Sequence, residues 1–463
     1  MKRIFLLFLI LILNLNCSAR EVNPKKITLE ESIKITLQNS LDLRSTEQDI
    51  YKSEVRISQA KTGGYPSFSG SMYYTRIDPV QEISVGDRKT PLGQNNQSQG
   101  KVTFNYNLYD GGRVTNLVDA TTLLSQATFC ELEITRQNVL YKAISSYYDV
   151  LKSKKLLRVA ENTLTTTIEQ YNISRDFYEE GLVAMADVLS ANAQVANTEL
   201  GLIKAQNGVE LAKSALNDTM GLSLTAEYDL VDNLVYKPYT VDLDYTTELA
   251  YNNRAEGKKI MYLIGAAEKQ IDVAKSDRLP TVNFNFDYIL FSSSLFNASN
   301  SVNATFSASI PIFDRGLTIC KIDEAEANLE QAKINLEQIK KAIALQVRQA
   351  YLNFLEAAKT VDKMKATLIS AEKNYEVARL RYQEGLSPFI EVSNAQLILT
   401  KAEVDNVQAL YDYYLSRASL VKTTGLLPED GNLDDIKLIN TTYREEEADR
   451  SLTGTTVELE NKK

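Results

Sequence analysis

Between Ile322 and Tyr382 the chain places an apolar residue at alternating steps of three and four, eighteen in all, among side chains that are mostly charged or amide. A period of 3.5 residues is the seam of a coiled coil, and it predicts one helix from about Gly316 to Gln383. The single irregularity is two consecutive steps of four at Ile339, Ile343 and Val347, a stutter that relaxes the supercoil locally. Six of the eighteen are alanine, which lets neighbouring helices approach closely. At ~1.5 Å per residue the helix is about 100 Å long, roughly three times the diameter of a small domain. A second long helix is expected at 114–177. Helices at 29–61 and 187–219 are about half that length, so two of them stacked end to end would match one long one.

Elsewhere the period changes to two. Val282, Phe284, Phe286, Tyr288 and Leu290 alternate with Thr281, Asn283, Asn285 and Asp287, and Val102, Phe104, Tyr106 and Leu108 with Thr103, Asn105 and Asn107. Val302 to Ile312 repeats the pattern, and Phe68, Gly70, Met72 and Tyr74 give a rougher copy. Alternation over about ten residues predicts four strands, at about 66–77, 101–109, 280–291 and 302–313, with exposed polar loops at 78–100 and 292–301. A half-buried soluble sheet is the plain reading. Strand length, tyrosines near the strand ends (Tyr73, Tyr74, Tyr109, Tyr288) and the N-terminus favour strands that cross a membrane. Four strands cannot close a barrel in lipid, where each backbone N–H and C=O needs an internal partner. Three copies would supply twelve strands, enough for a water-filled passage.

The two halves of the chain are copies. A shift of 204 positions places Asp110 on Asp314, Gly112 on Gly316, Tyr178 on Tyr382, Gly181-Leu182 on Gly385-Leu386 and Gly221-Leu222 on Gly425-Leu426. The expected divisions are an export signal at 1–19, a first repeat at 27–222 with its tip turn at 178–186, a linker at 223–244, a second repeat at 245–426 with its tip turn at 384–390, and a polar tail at 427–463.

Met1-Lys2-Arg3 and the apolar run that follows read as the export signal, cleaved after Ala19. In the alternative, Cys17 is a lipidated first residue. The net charge of −9 argues against nucleic acid as a partner. Cys130 and Cys320 occupy non-equivalent places in the repeats, so no disulfide between them is expected. The sequence has no histidine, which excludes His-based triads and imidazole acid–base work, and it has no nucleotide-binding glycine motif. No catalytic residue, cofactor or metal is expected, and any energy for transport comes from another protein.

At Tyr106-Asn107-Leu108-Tyr109-Asp110-Gly111-Gly112-Arg113, at Gly181-Leu182 followed by Asp187-Val188, at Ile27-Thr28-Leu29-Glu30-Glu31-Ser32 and at the Gly-Leu ends of both repeats, the sequence resembles the TolC-like outer-membrane efflux protein family. The resemblance implies a homotrimer: a 12-stranded β-barrel in outer-membrane lipid, four strands per chain, continuous with a long periplasmic α-helical coiled-coil barrel built from two tandem repeats. It also implies a periplasmic adaptor of the membrane fusion class and an inner-membrane transporter of the RND, ABC or MFS type. The turns at Gly181, Leu182, Gly385 and Leu386 would then be the docking tip. Relatives bond a Tyr before the second turn and an Arg after it to neighbouring helices, including an Asp after the first turn. Tyr382 and Asp187 match, whereas Ser387 stands at the Arg position. Two inward aspartates of relatives correspond to Glu391 and Asn394, so one carboxylate ring would remain to repel anions at a tunnel entrance. The same residues also read as helix caps and seam packing, and the competing function is a structural or adhesive envelope coiled coil without transport.

Overall fold

The computed structural model describes residues 26–438 apart from 92–94, 233, 235, 293–297, 434, 435 and 437. The expected export signal, Cys17 and the end of the tail lie outside the described residues.

Two short helices, α1 (Leu29–Asn39) and α2 (Leu41–Thr62), follow the two-residue strand β1 (Lys26–Ile27). The continuous helix expected at 29–61 breaks at Ser40, whose backbone leaves the helical region (ψ 120°) and whose hydroxyl caps α2 at Leu43 N. Strand β2 (Ser67–Arg76), the hairpin strands β3 (Glu82–Val85) and β4 (Arg88–Pro91), and β5 (Asn96–Tyr109) come next, then the long helix α3 (Arg113–Glu179) and α4 (Met185–Thr219). The second repeat runs through β6 (Asp229–Leu230), α5 (Leu243–Asn253), α6 (Ala255–Ser276), β7 (Thr281–Ser292), β8 (Ala298–Ser309), α7 (Leu317–Gln383) and α8 (Phe389–Thr423). The repeats match in length: 11 and 22 residues for both pairs of short helices, 67 for α3 and α7, 35 for α4 and α8.

β2, β5, β7 and β8 form one antiparallel sheet in that order. Cross-strand neighbours agree in chemistry as well as in spacing. Phe104 opposes both Phe68 and Phe286, and Asn105 opposes Asn285. Since side chains alternate faces, one face is apolar and the other carries Asn, Ser and Thr. On the polar face Asp287 accepts from the Thr103 hydroxyl (2.7 Å) and pairs with Lys101 (3.1 Å). The sheet has two free edges, β2 and β8. Four details differ from the sequence reading. β8 begins at Ala298, inside the expected loop 292–301, because β7 offers partners as far as Ser292↔Ala298. β5 begins five residues before 101 because β2 offers partners as far as Arg76↔Asn96. The first connection contains the β3–β4 hairpin. β8 ends at Ser309, not at 313, because it is an edge strand and Pro311 has no N–H to give a ladder.

The handover from strand to long helix is built identically twice. The Asp110 carboxylate accepts from Gly112 N (3.0 Å) and Val114 N (2.8 Å), and Asp314 accepts from Gly316 N (3.0 Å) and Thr318 N (2.8 Å). Gly112 and Gly316 hold φ of +82° and +85°, where a side chain would be strained. Hydrogen bonding, first to the Thr318 side chain and then to backbone N–H groups, draws the Asp314 carboxyl down to about 2.

Every seam position from Ile322 to Tyr382 is buried or half-buried, so the 3.5-residue stripe is the packed face of α7. The largest core cluster lies near the middle of the long helices, not at an end. Tyr147, Tyr148 and Leu151 of α3 and Phe354 of α7 meet Tyr411, Tyr413 and Leu420 of α8 there. The expected linker supplies β6, which pairs in parallel with β1, and Tyr147 donates its hydroxyl proton to Val231 O at 2.7 Å. The start of the tail joins the same belt: Leu427, Leu433 and Leu438 are buried, their apolar spacing outweighing the polar composition around them. Cys130 and Cys320 are both free thiols. No described helix is long and apolar enough to cross a membrane.

Candidate functional site

Both tip turns are shorter than expected. α3 runs to Glu179 and α4 starts at Met185; α7 runs to Gln383 and α8 starts at Phe389. Each turn closes by the same pair of backbone bonds, Gly181 N to Tyr178 O (3.0 Å) with Leu182 N to Phe177 O (2.8 Å), and Gly385 N to Tyr382 O (3.0 Å) with Leu386 N to Arg381 O (2.8 Å). A glycine in the left-handed region makes such a C-cap possible, and Gly181 and Gly385 have φ of +76° and +69°. Leu182 and Leu386 project from the turns, 67% and 70% exposed.

Beneath them sits a small core in which Tyr375, Ala378 and Tyr382 of α7 pack on Phe389, Val392 and Ala395 of α8 and on Ala191 of α4. The Tyr382 ring lies between Phe177 (centroids 5.5 Å apart) and Phe389 (5.9 Å). Its hydroxyl is 2.9 Å from Ser174 Oγ of α3 in the same chain; among the described residues no hydrogen bond joins it to Asp187. Asp187 stands close enough for its charge to act on Tyr382, whose hydroxyl burial pushes above its usual pKa. One turn further from the tip, Gln170 Nε2 donates to Tyr375 OH (2.8 Å) and to Gln396 Oε1 (3.4 Å), a buried polar layer linking α3, α7 and α8.

Glu391 does not stand alone on α8. Arg381 of α7 reaches it at 3.1 Å, with both side chains about half exposed. Ser387 brings no cation after the turn, and the cation paired with Glu391 stands instead at the residue before Tyr382. Asn394 is exposed on α8. Ser387 Oγ is buried and has no hydrogen-bond partner. It lines, with Phe177, Asp187, Tyr382, Glu384 and Pro388, a recess with about 710 Å³ of space between the two turns. Sequence reasoning missed Ser174, Gln170, Tyr375 and Arg381. Tyr375 and Tyr382 stand one heptad apart in the seam, a spacing that marks tyrosines whose hydroxyls both need a partner on the facing helix.

The outer membrane efflux protein family matches residues 32–222 and 258–426, both repeats without the linker. The chain is 23% identical over 410 residues to outer membrane efflux protein BepC of Brucella suis, covering 87% of this chain and 86% of that protein. It is 20% identical over 404 residues to toxin and drug export protein A of Aggregatibacter actinomycetemcomitans, covering 85% and 87%. Among solved structures, the Campylobacter jejuni CmeC outer membrane channel superposes with a TM-score of 0.74 at 17% identity, covering 91% of this chain and 88% of the other.

Proposed function

We propose, because this chain belongs to the outer membrane efflux protein family, that three copies close a 12-stranded barrel in the outer membrane and that the helices continue its lumen as a tunnel through the periplasm. The observation that carries the reading is the four-stranded sheet with two free edges, one apolar and one polar face, leading directly into helices of 67 residues. In hydrocarbon those edges must be paired, and identical copies pair them without leftovers. The polar face then lines water and the apolar face meets lipid.

In this reading the duct is passive, and it exports small molecules or proteins delivered by an inner-membrane transporter through a periplasmic adaptor. Efflux and toxin export in the names of its relatives support that class of cargo. The turns at Gly181 and Gly385 are the adaptor-docking tip, with Leu182 and Leu386 as apolar handles. Tyr382, Asp187, Ser387, Glu391 and Asn394 line or brace the entrance, and the Arg381–Glu391 pair moderates the negative charge there.

Single-channel recording from purified trimers in a planar bilayer tests the proposal. Conductance with cation preference that weakens in Glu391→Ala is the expected result. Folded trimers that never conduct would defeat it in favour of a structural coiled coil.

A further inference from the structure

The chain as a whole carries a net charge of −9, but the level at which strands hand over to helices has the opposite sign. Four segments meet there: 61–65, 109–114, 275–279 and 313–321. Arg113 Nη1 and Lys321 Nζ both reach Asp277, at 3.2 and 2.7 Å, while Gly63 packs on Val114 and Gly111 on Leu279. The four segments hold six basic residues, Lys61, Arg113, Lys275, Arg278, Arg315 and Lys321, against three acidic ones, Asp110, Asp277 and Asp314.

All three carboxylates are engaged. Asp110 and Asp314 accept from the N–H groups of their own turns, and Asp277 holds Arg113 and Lys321. Lys61 and Lys275 complement the C-terminal dipoles of α2 and α6. Arg278 and Arg315 are exposed, lie outside any helix and make no salt bridge among the described residues. Ile312 (95% exposed) and Phe313 (84%) stand just before Arg315 where the chain leaves β8, and Tyr65 (63%) stands before β2 at the other edge of the sheet.

Unpaired cations beside protruding apolar groups, at the end of a sheet with one apolar face, suit the boundary between headgroups and acyl chains. We propose that this level is a collar that binds anionic phospholipid headgroups of the leaflet facing the helices, with Arg278 and Arg315 as its phosphate-binding groups and Ile312 and Phe313 as its apolar anchor. The collar rests on the reading of the sheet as membrane-spanning. A neighbouring copy would not neutralise it: the edge it would bring, residues 65–76, contains no carboxylate.

The test reconstitutes the full chain in bilayers of phosphatidylcholine with and without phosphatidylglycerol, and reads the lipid retained per trimer by native mass spectrometry together with the thermal midpoint. Wild-type trimers are expected to retain phosphatidylglycerol preferentially and to melt higher in its presence. Arg278→Gln/Arg315→Gln should retain about thirtyfold less, while the control Lys340→Gln/Lys341→Gln, equally charge-reducing but a third of the way down α7, should match wild type. Equal retention of both lipids, equal loss in the control, or the same stabilisation by inorganic phosphate in detergent would overturn the collar. Protease protection of the strand connections separates the two claims. Protein that inserts without lipid preference loses only the collar, whereas protein that does not insert loses the membrane reading as well.

Discussion

The hydroxyls of Ser174 and Tyr382 lie 2.9 Å apart inside the packed seam of α3 and α7, with Tyr382 only 3% exposed. A neutral pair of this kind holds the tip with a bond that salt does not screen, since neither group carries a charge. Tyr382→Phe strands the Ser174 hydroxyl and should lower stability by about 1 kcal/mol. Adding Ser174→Ala should cost little more, because the partner is already gone. A double-mutant cycle by thermal unfolding measures this; additive effects would show that the two hydroxyls do not act together.

Arg381 and Glu391 are half exposed, so their pair contributes only about 0–1 kcal/mol. Arg381→Gln should therefore leave the melting temperature nearly unchanged. In the proposed duct it uncovers the Glu391 carboxylate, and cation over anion permeability, read from reversal potentials at low ionic strength, should rise. Unchanged permeability would remove Glu391 from the entrance.

The repeat predicts how copies pair. β2–β5 and β7–β8 share one register: Ser67↔Asn105 becomes Thr281↔Ser309 when each strand is moved to its counterpart. Carrying the β5–β7 register, in which Phe104 opposes Phe286, across in the same way sets Ser309 of one copy opposite Ser71 of the next, and Ser307 opposite Tyr73. With the native cysteines replaced by serine, Ser309→Cys/Ser71→Cys should crosslink into covalent trimers under oxidation. Ser309→Cys/Met72→Cys, whose side chains point to opposite faces, should not.

Glu403 on α8 has its carboxyl pushed up, first by burial and then by the charge of Glu372. A folded pKa above the unfolded one means that the native state binds more protons in that window, so stability falls as pH rises through it. Glu403→Gln should accordingly raise the melting temperature at neutral pH, and the gain should vanish on acidification below the ordinary glutamate range. A gain of equal size at both pH values would show that charge is not its cause.

Period carried most of the architecture into the sequence. The 3.5-residue stripe from Ile322 to Tyr382 lies on the packed face of α7, and the two-residue alternation falls on the four strands of one sheet. Periodicity fails where a single residue decides. Ser40 breaks a helix by capping the next one, and Pro311 halts a strand whose apolar alternation continues to Ile312. The polar tail hid its three buried leucines because composition averages over the spacing that matters. At the tip, Tyr382 and Glu391 were legible as positions but not as partnerships. Ser174 stands 208 residues from Tyr382, and Arg381 finds Glu391 only because a five-residue turn folds α8 back along α7. Bonds of that kind belong to the chain's path in space, which no local pattern encodes.

The aromatic belt grips both long rods near their midpoints: Tyr147 lies about halfway along α3, and Phe354 slightly past halfway along α7. A rod of about 100 Å held at its centre is a lever with arms of about 50 Å. A tilt of about six degrees at that fulcrum swings the far end by about 5 Å, roughly the width of a side chain. In the proposed duct, any widening at the tip therefore either moves the strand end by a comparable amount or makes the rod bend where the belt holds it.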